Sequence, residues 1–255
     1  MEKRKIELKS MLPTLTLVLF ILLMMGLAFL PTVRGGTART VETGVAASGD
    51  GTDILYKCEE YALEHGFGTA LSGNIKASVF GIPYTLEVGG GRNVSGDSFT
   101  DIKESVSVMA KVGVKTCCAN GDYRVAQGEY DKKTKTFSYG DGESLSGDEF
   151  VRRYGMPPTK LVKYALDGNI ASVECIDENT FKYVLDVRAA ELAKNEVQTI
   201  LNSKKPPEYK SVELTLITDG TRAIKITAVE KFRADKFGGI NCTATYTEVF
   251  SYDKY

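Results

Sequence analysis

Near the end of the chain the apolar side chains fall on even positions only. Ile224, Ile226, Ala228 and Phe232 mark one segment, and Ile240, Cys242, Ala244, Tyr246 and Phe250 mark the next. Successive side chains of an extended strand point to opposite faces, so each set occupies one face, and antiparallel pairing of the two segments keeps both sets together. The odd positions of the final segment, Asn241, Thr243, Thr245 and Thr247, are polar and suit water. Such a pair belongs to a sheet with one dry and one wet face, and the dry face needs a covering layer.

The same period of two starts near residue 70. It runs through Ile75, Ala77 and Val79, then Ile82, Tyr84, Leu86 and Val88, then Ile102, Val106, Val108 and Ala110, with GGGRN and SGD as turn signals between. Further strands are expected at 112–118, 121–128, 135–139, 170–177, 180–186, 209–218, 221–233 and 238–250. Their close spacing implies antiparallel hairpins. Four helices are expected. Asp53 caps the first, whose apolar side carries Ile54, Cys58, Tyr61, Ala62 and His65 before the stop at Gly66. Ser146 and Glu149 form a capping box before Phe150, Val151 and Tyr154; Pro157-Pro158 introduces a helix with Leu161, Val162, Ala165 and Leu166; Asp186 opens an amphipathic helix with Ala189, Ala193, Val197, Ile200 and Leu201. The expected class is α+β: a strongly curved antiparallel half-barrel of about ten strands packed on a few helices, preceded by an N-terminal transmembrane or signal helix.

Twenty-four uncharged residues separate Lys9 from Arg34, and Leu15 to Leu30 is almost wholly Leu, Val, Ile, Phe and Met. That is nearly the length of a membrane-spanning helix, and FLPTVRGG after it offers no convincing small-x-small cleavage site. An uncleaved anchor is therefore expected, with secretion the outcome if it is cut. Lys3, Arg4, Lys5 and Lys9 precede the segment, so the positive-inside rule puts the N-terminus in the cytoplasm and the bulk of the chain outside. No cysteine precedes Cys58, which excludes an N-terminal lipoprotein cysteine. The expected organisation is a basic tail at 1–9, an anchor at 10–33, a flexible linker at 34–52 and one extracytoplasmic domain at 53–255.

The first 33 residues hold four basic and two acidic side chains, which leaves 28 against 31 beyond them, a net charge of −3. No basic excess steers nucleic acid. With His65 as the one histidine and no G-x-S-x-G, no hydrolase triad or zinc site is expected. His65 reads as a helix-ending residue packed on its apolar side. Cys58, Cys117, Cys118, Cys175 and Cys242 lack C-x-x-C spacing and read as small buried hydrophobes, with room for one bridge outside the cytoplasm. Gly89-Gly90-Gly91 lacks the Lys-Ser/Thr of a phosphate loop and reads as a turn or bulge. The Asn93 and Asn241 sequons are short patterns that change nothing. Glu230 and Glu248 share the parity of the dry face but lie towards opposite ends of the last hairpin, opposite Cys242 and Ile224, and are expected as rim residues reaching solvent.

The order of elements resembles the envelope lipoprotein-carrier superfamily typified by LolA, LolB and LppX. The matching stretches are YKCEEYALEHG, EYDKKTKTFSYGDG, TFKYVLDV and PPEYKSVELTLITDGTRAIKITAVEKF, and the resemblance spans about residues 53–250. It implies a curved sheet wrapped over helices with an apolar interior, where Leu214, Leu216, Ile224, Ile226, Phe232 and Tyr246 would line a ligand cavity or a solid core. The functional expectation is a membrane-tethered, extracytoplasmic module that binds a lipid or other apolar ligand in the concave face. The alternative is a structural or sensory ectodomain with a solid core that binds another envelope protein. Neither requires catalysis, a cofactor or a metal, and the chain is not expected to be an enzyme.

Overall fold

Asp50–His65 form helix α1, four residues longer at its start than the cap at Asp53 implies. Gly66, at φ 71°, ends it and donates to the Ala62 carbonyl. The computed structural model describes residues 50–252 apart from 109, 165, 202 and 236–238, so the expected tail, anchor and most of the linker lie outside the described residues. None of the described helices is long and apolar enough to cross a membrane.

Six strands follow α1 in direct succession: β1 (Phe67–Val79), β2 (Ile82–Ser95), β3 (Ser98–Val106), β4 (Lys111–Ala119), β5 (Asp122–Asp131) and β6 (Thr136–Tyr139). A short β7 (Glu143–Leu145) leads into α2 (Gly147–Tyr154), which Ser146 caps by accepting from the Glu149 amide. After irregular segments at 155–164 and 166–169 come β8 (Ile170–Asp177) and β9 (Thr180–Leu185). A 3₁₀ turn at Val187–Ala193 then runs into α3 (Lys194–Leu201), and β10 (Glu208–Thr218), β11 (Ala223–Ala234) and β12 (Ile240–Ser251) finish the domain.

All twelve strands join one open, curved, antiparallel sheet in the order β6-β5-β4-β3-β2-β1-β12-β11-β10-β9-β8, with β7 paired to β5. The first and last long strands lie side by side at its middle, Gly68 opposite Ser251 and Ala77 opposite Cys242. One face is dry. Ile75, Leu86, Val88, Leu214, Leu216, Phe232 and Tyr246 are buried on it, whereas Asn241 and Thr243 are exposed on the other. α1 packs on β8, and α3 packs on β3 and α2.

Several expected details are corrected. Gly89, Gly90 and Gly91 make neither a turn nor a bulge, because β2 runs straight through them in constant register. They are required by close approach: a Cβ at Gly90 would lie 1.9 Å from the Ile102 carbonyl oxygen, and one at Gly91 would lie 2.1 Å from that of Thr69. Both also have positive φ, at 133° and 156°. The parity of β3 is reversed. The two-residue turn at Gly96 sets Val94 opposite Phe99 and Arg92 opposite Asp101, so Phe99, Asp101 and Ser105 face the dry side in place of Ile102, Val106 and Val108.

In the last hairpin Glu230 pairs with Ala244 and Glu248 with Ile226, one dyad away from the expected register. A bulge between Ile217 and Thr218 places Ala223 inside and turns Ile224 out to solvent. On α1 the buried stripe is Leu55, Cys58, Glu59 and Ala62, leaving Ile54 and Tyr61 at its margin and His65 exposed. His65 stacks on Tyr61, and its Nδ1 donates to the Tyr61 carbonyl at 3.0 Å. All five cysteines are free thiols.

The helix expected after Pro157-Pro158 does not form. Two prolines remove two amide donors, and the carbonyls of Pro158, Lys160 and Leu161 are taken by a side chain from the sheet, so the segment crosses the dry face as an irregular strap. Its apolar residues are still buried: Leu161, Val162, Tyr164 and Leu166 all pack into the core.

Candidate functional site

The strap is held by a residue that an apolar pattern passes over. Arg92 shares the parity of Leu86, Val88 and Val94 on β2, points into the dry side and is only 5% exposed. Its Nη1 donates to the carbonyls of Pro158 (3.0 Å) and Lys160 (2.6 Å), and its Nη2 donates to Leu161 (2.6 Å) and to the Glu248 carboxylate (2.9 Å). Four of the five N–H donors of the guanidinium fork are thereby used. The face of Phe67 lies 5.0 Å from the guanidinium carbon. The fifth donor, on Nε, is buried without a hydrogen-bond partner, so a charge this deep is tolerated because it is paired with Glu248 and its other four donors are met.

A second buried charge lies on β11. Glu230 is fully buried, accepts from the hydroxyls of Tyr164 and Tyr209, and pairs with Lys163 of the strap at 2.9 Å. Lys163 in turn sits 4.5 Å from the ring centre of Tyr246 on β12. The expectation that Glu230 is a rim residue reaching solvent is therefore wrong. The alternating pattern places it on the dry face, and the partners that make burial tolerable come from the strap, which sequence spacing does not locate.

α1 supplies a third tie. The Val162 amide donates to Glu59 Oε2 at 3.3 Å, and Glu59 Oε1 is buried without a hydrogen-bond partner. Burial raises the Glu59 carboxyl above its ordinary 4.5, against the opposing pull of the Leu161 and Val162 amides and of the Lys160 and Arg92 charges. The native state thus binds this proton more tightly than the unfolded chain. That contribution to stability is complete below pH 4.5 and is lost as pH rises through the elevated native value. Glu59→Gln should therefore flatten this part of the stability profile and leave the domain at least as stable at neutral pH, as read by urea unfolding at pH 5 and pH 8.

Between the strap and the left half of the sheet lies a cavity of about 190 Å³. Its apolar wall comes from Val112 and Val114 of β4, Phe150 and Tyr154 of α2, Met156 of the strap and Ile200 of α3. Arg92, Asp101, Lys103 and Lys163 supply the polar wall. A smaller compartment of about 60 Å³ shares those four residues and continues towards Leu71, Leu214, Ile226, Tyr246 and Glu248. Each cation has a carboxylate beside it: Arg92 with Glu248, Lys103 with Asp101, Lys163 with Glu230.

Of the residues singled out from sequence, Leu214, Ile226 and Tyr246 line the smaller compartment; Leu216 and Phe232 lie in the solid core, and Ile224 is exposed. Arg92, Asp101, Lys103, Lys163 and the α2 aromatics were missed. A charged residue on an inward position of a strand is the signal that would have found Arg92, whereas Asp101 and Lys103 stand on positions of β3 that read as outward until the turn at Gly96 reverses its parity. Among the described residues no group of three His, Cys, Asp or Glu is placed to hold a metal ion.

No protein-family model matches the sequence, and no curated protein matches it. Among solved structures the chain is similar to a DUF1329 family protein from Desulfovibrio piger, at 10% identity and a TM-score of 0.31, over 80% of this chain and 92% of that one.

Proposed function

We propose that this protein is a membrane-tethered, extracytoplasmic module that receives a lipid or other apolar ligand between the dry face of its curved sheet and the strap at 156–166. The observation that supports it is the mainly apolar cavity of about 190 Å³ beneath a strap that is held by side chains and has no regular backbone ladder of its own. The uncharged run at 10–33 would fix the chain in the cell membrane with its N-terminus in the cytoplasm. The cavity is smaller than the roughly 300 Å³ at which small-molecule pockets begin, so a full-length acyl chain would enter only as the strap moves away from the sheet.

Extraction of the purified domain with organic solvent, followed by mass spectrometry, tests the reading. One lipid class or apolar compound should co-purify in stoichiometric amount, and Val114→Phe, which fills the wall at β4, should abolish its recovery while leaving the fold intact. No recovered compound from either form would exclude the ligand and leave the alternative, an ectodomain that binds a protein of the envelope.

A further inference from the structure

The turn between β1 and β2 carries the wrong residue for its backbone. Val79 pairs with Ile82 across a two-residue loop, Phe80-Gly81, whose φ angles are +52° and +81°. The loop between β4 and β5 has the same geometry, +52° and +80°, and there the residues are Asn120-Gly121, the pair that such a turn favours. Phe is among the side chains least suited to positive φ. Phe80 gains no burial in return, since it is 52% exposed. The chain thus holds a strained aromatic in the open where an asparagine would fold more easily.

Phe80 is not alone. Ile82, beside it, is 65% exposed, and Val108, in the connection from β3 to β4, is 98% exposed. β3 stops at Val106 opposite Glu87, so the β1–β2 hairpin projects past its neighbour. The Tyr84 hydroxyl donates to Ser107 Oγ at 2.6 Å and ties the two tips together. Exposed Lys76 and Lys111 flank them, with Lys132, Lys133 and Lys204 at the same end of the sheet and Glu87, Asp131, Glu208 and Asp235 as the exposed acids there. Three large apolar side chains at one end, rimmed by lysines, match an anionic bilayer surface: the tips enter the headgroup boundary and the ammonium groups meet lipid phosphates.

We propose that the β1–β2 and β3–β4 tips are a bilayer-contact surface, at which the domain lies down on the membrane. The proposal deepens the tethered reading and is independent of whether the cavity is filled. Residues 34–49 span at most about 55 Å when extended, enough slack for the domain to reach the surface beside its own anchor.

The chain contains no tryptophan, so a single introduced one reports its own surroundings. The full chain is reconstituted into vesicles of phosphatidylcholine and phosphatidylglycerol with brominated acyl chains. Phe80→Trp should be quenched several-fold more than Ile176→Trp, an exposed position at the opposite end of the sheet. Phe80→Asn should raise Tm by about 2–4 °C, because it relieves the turn, while reducing the quenching of a Val108→Trp reporter. Equal quenching at positions 80 and 176 overturns the proposal. So does a lower Tm for Phe80→Asn, which would assign the aromatic to the fold. Emission from Trp at 80 that is blue-shifted but unquenched would place the tip against protein, and overturns it as well. An empty cavity in the extraction experiment would leave all of these results unchanged.

Discussion

Replacing Arg92 by methionine should destabilise the domain by about 3 kcal/mol and release the strap, although methionine fits the same apolar walls. The substitution strips the carbonyls of Pro158, Lys160 and Leu161 of their donor and leaves the Glu248 carboxylate without its cation. The carbonyls can recover partners only from water, and water reaches them only if the strap lifts. Two readouts separate this from loss of packing. Urea unfolding should give the free-energy change, and amide hydrogen exchange should show protection lost at Val162 and Tyr164 before it is lost in β10 to β12. Arg92→Lys should recover little, because one ammonium cannot serve three carbonyls and a carboxylate at once. A change below about 1 kcal/mol, with strap protection intact, would mean that the apolar residues of the strap hold it unaided.

The second large effect is expected at Glu230. Glu230→Ala should cost about 3–5 kcal/mol, since it opens a void at a fully buried position and removes the acceptor of two tyrosine hydroxyls and the counter-ion of Lys163. Lys163→Met should also destabilise, because the carboxylate it leaves is fully buried. Combining Lys163→Met with Glu230→Leu should recover part of the loss, as an apolar pair of similar volume avoids desolvating two charges. A double-mutant cycle measures the coupling directly, and a value under about 0.5 kcal/mol would show that the two residues do not act as a unit. Glu230→Gln keeps a hydrogen-bond acceptor without the charge, and so separates the tyrosine contacts from the ion pair.

Both residues were half legible. Glu230 and Arg92 stand on inward positions of alternating strands, and a charge at such a position must have a partner if it is buried. The even-numbered pattern of the last hairpin places Glu230 on the dry side, and its place towards one end of that hairpin is what makes it read as a rim residue. Its cation is Lys163, 67 positions earlier in the chain, on a segment whose apolar spacing reads as a helix. The spacing of Leu161, Val162 and Leu166 reported correctly that the segment is buried. It failed to report the conformation because carbonyls that would have closed a helix are bonded to Arg92 instead.

Local covalent geometry acts within a few residues, and what it controls could be read from the sequence alone: a period of two that makes strands, turn residues that join them into antiparallel hairpins, caps at Ser146 and Asp186, and one dry face that must be covered. Tertiary structure decided the rest. The parity of β3 depends on the turn at Gly96, the glycine run in β2 answers to carbonyls on both neighbouring strands, and the cavity exists because an arginine on the sheet holds a strap that never became a helix. Those outcomes turn on hydrogen bonds between residues tens of positions apart, where the free energy of a buried charge outweighs the small preferences that local sequence expresses.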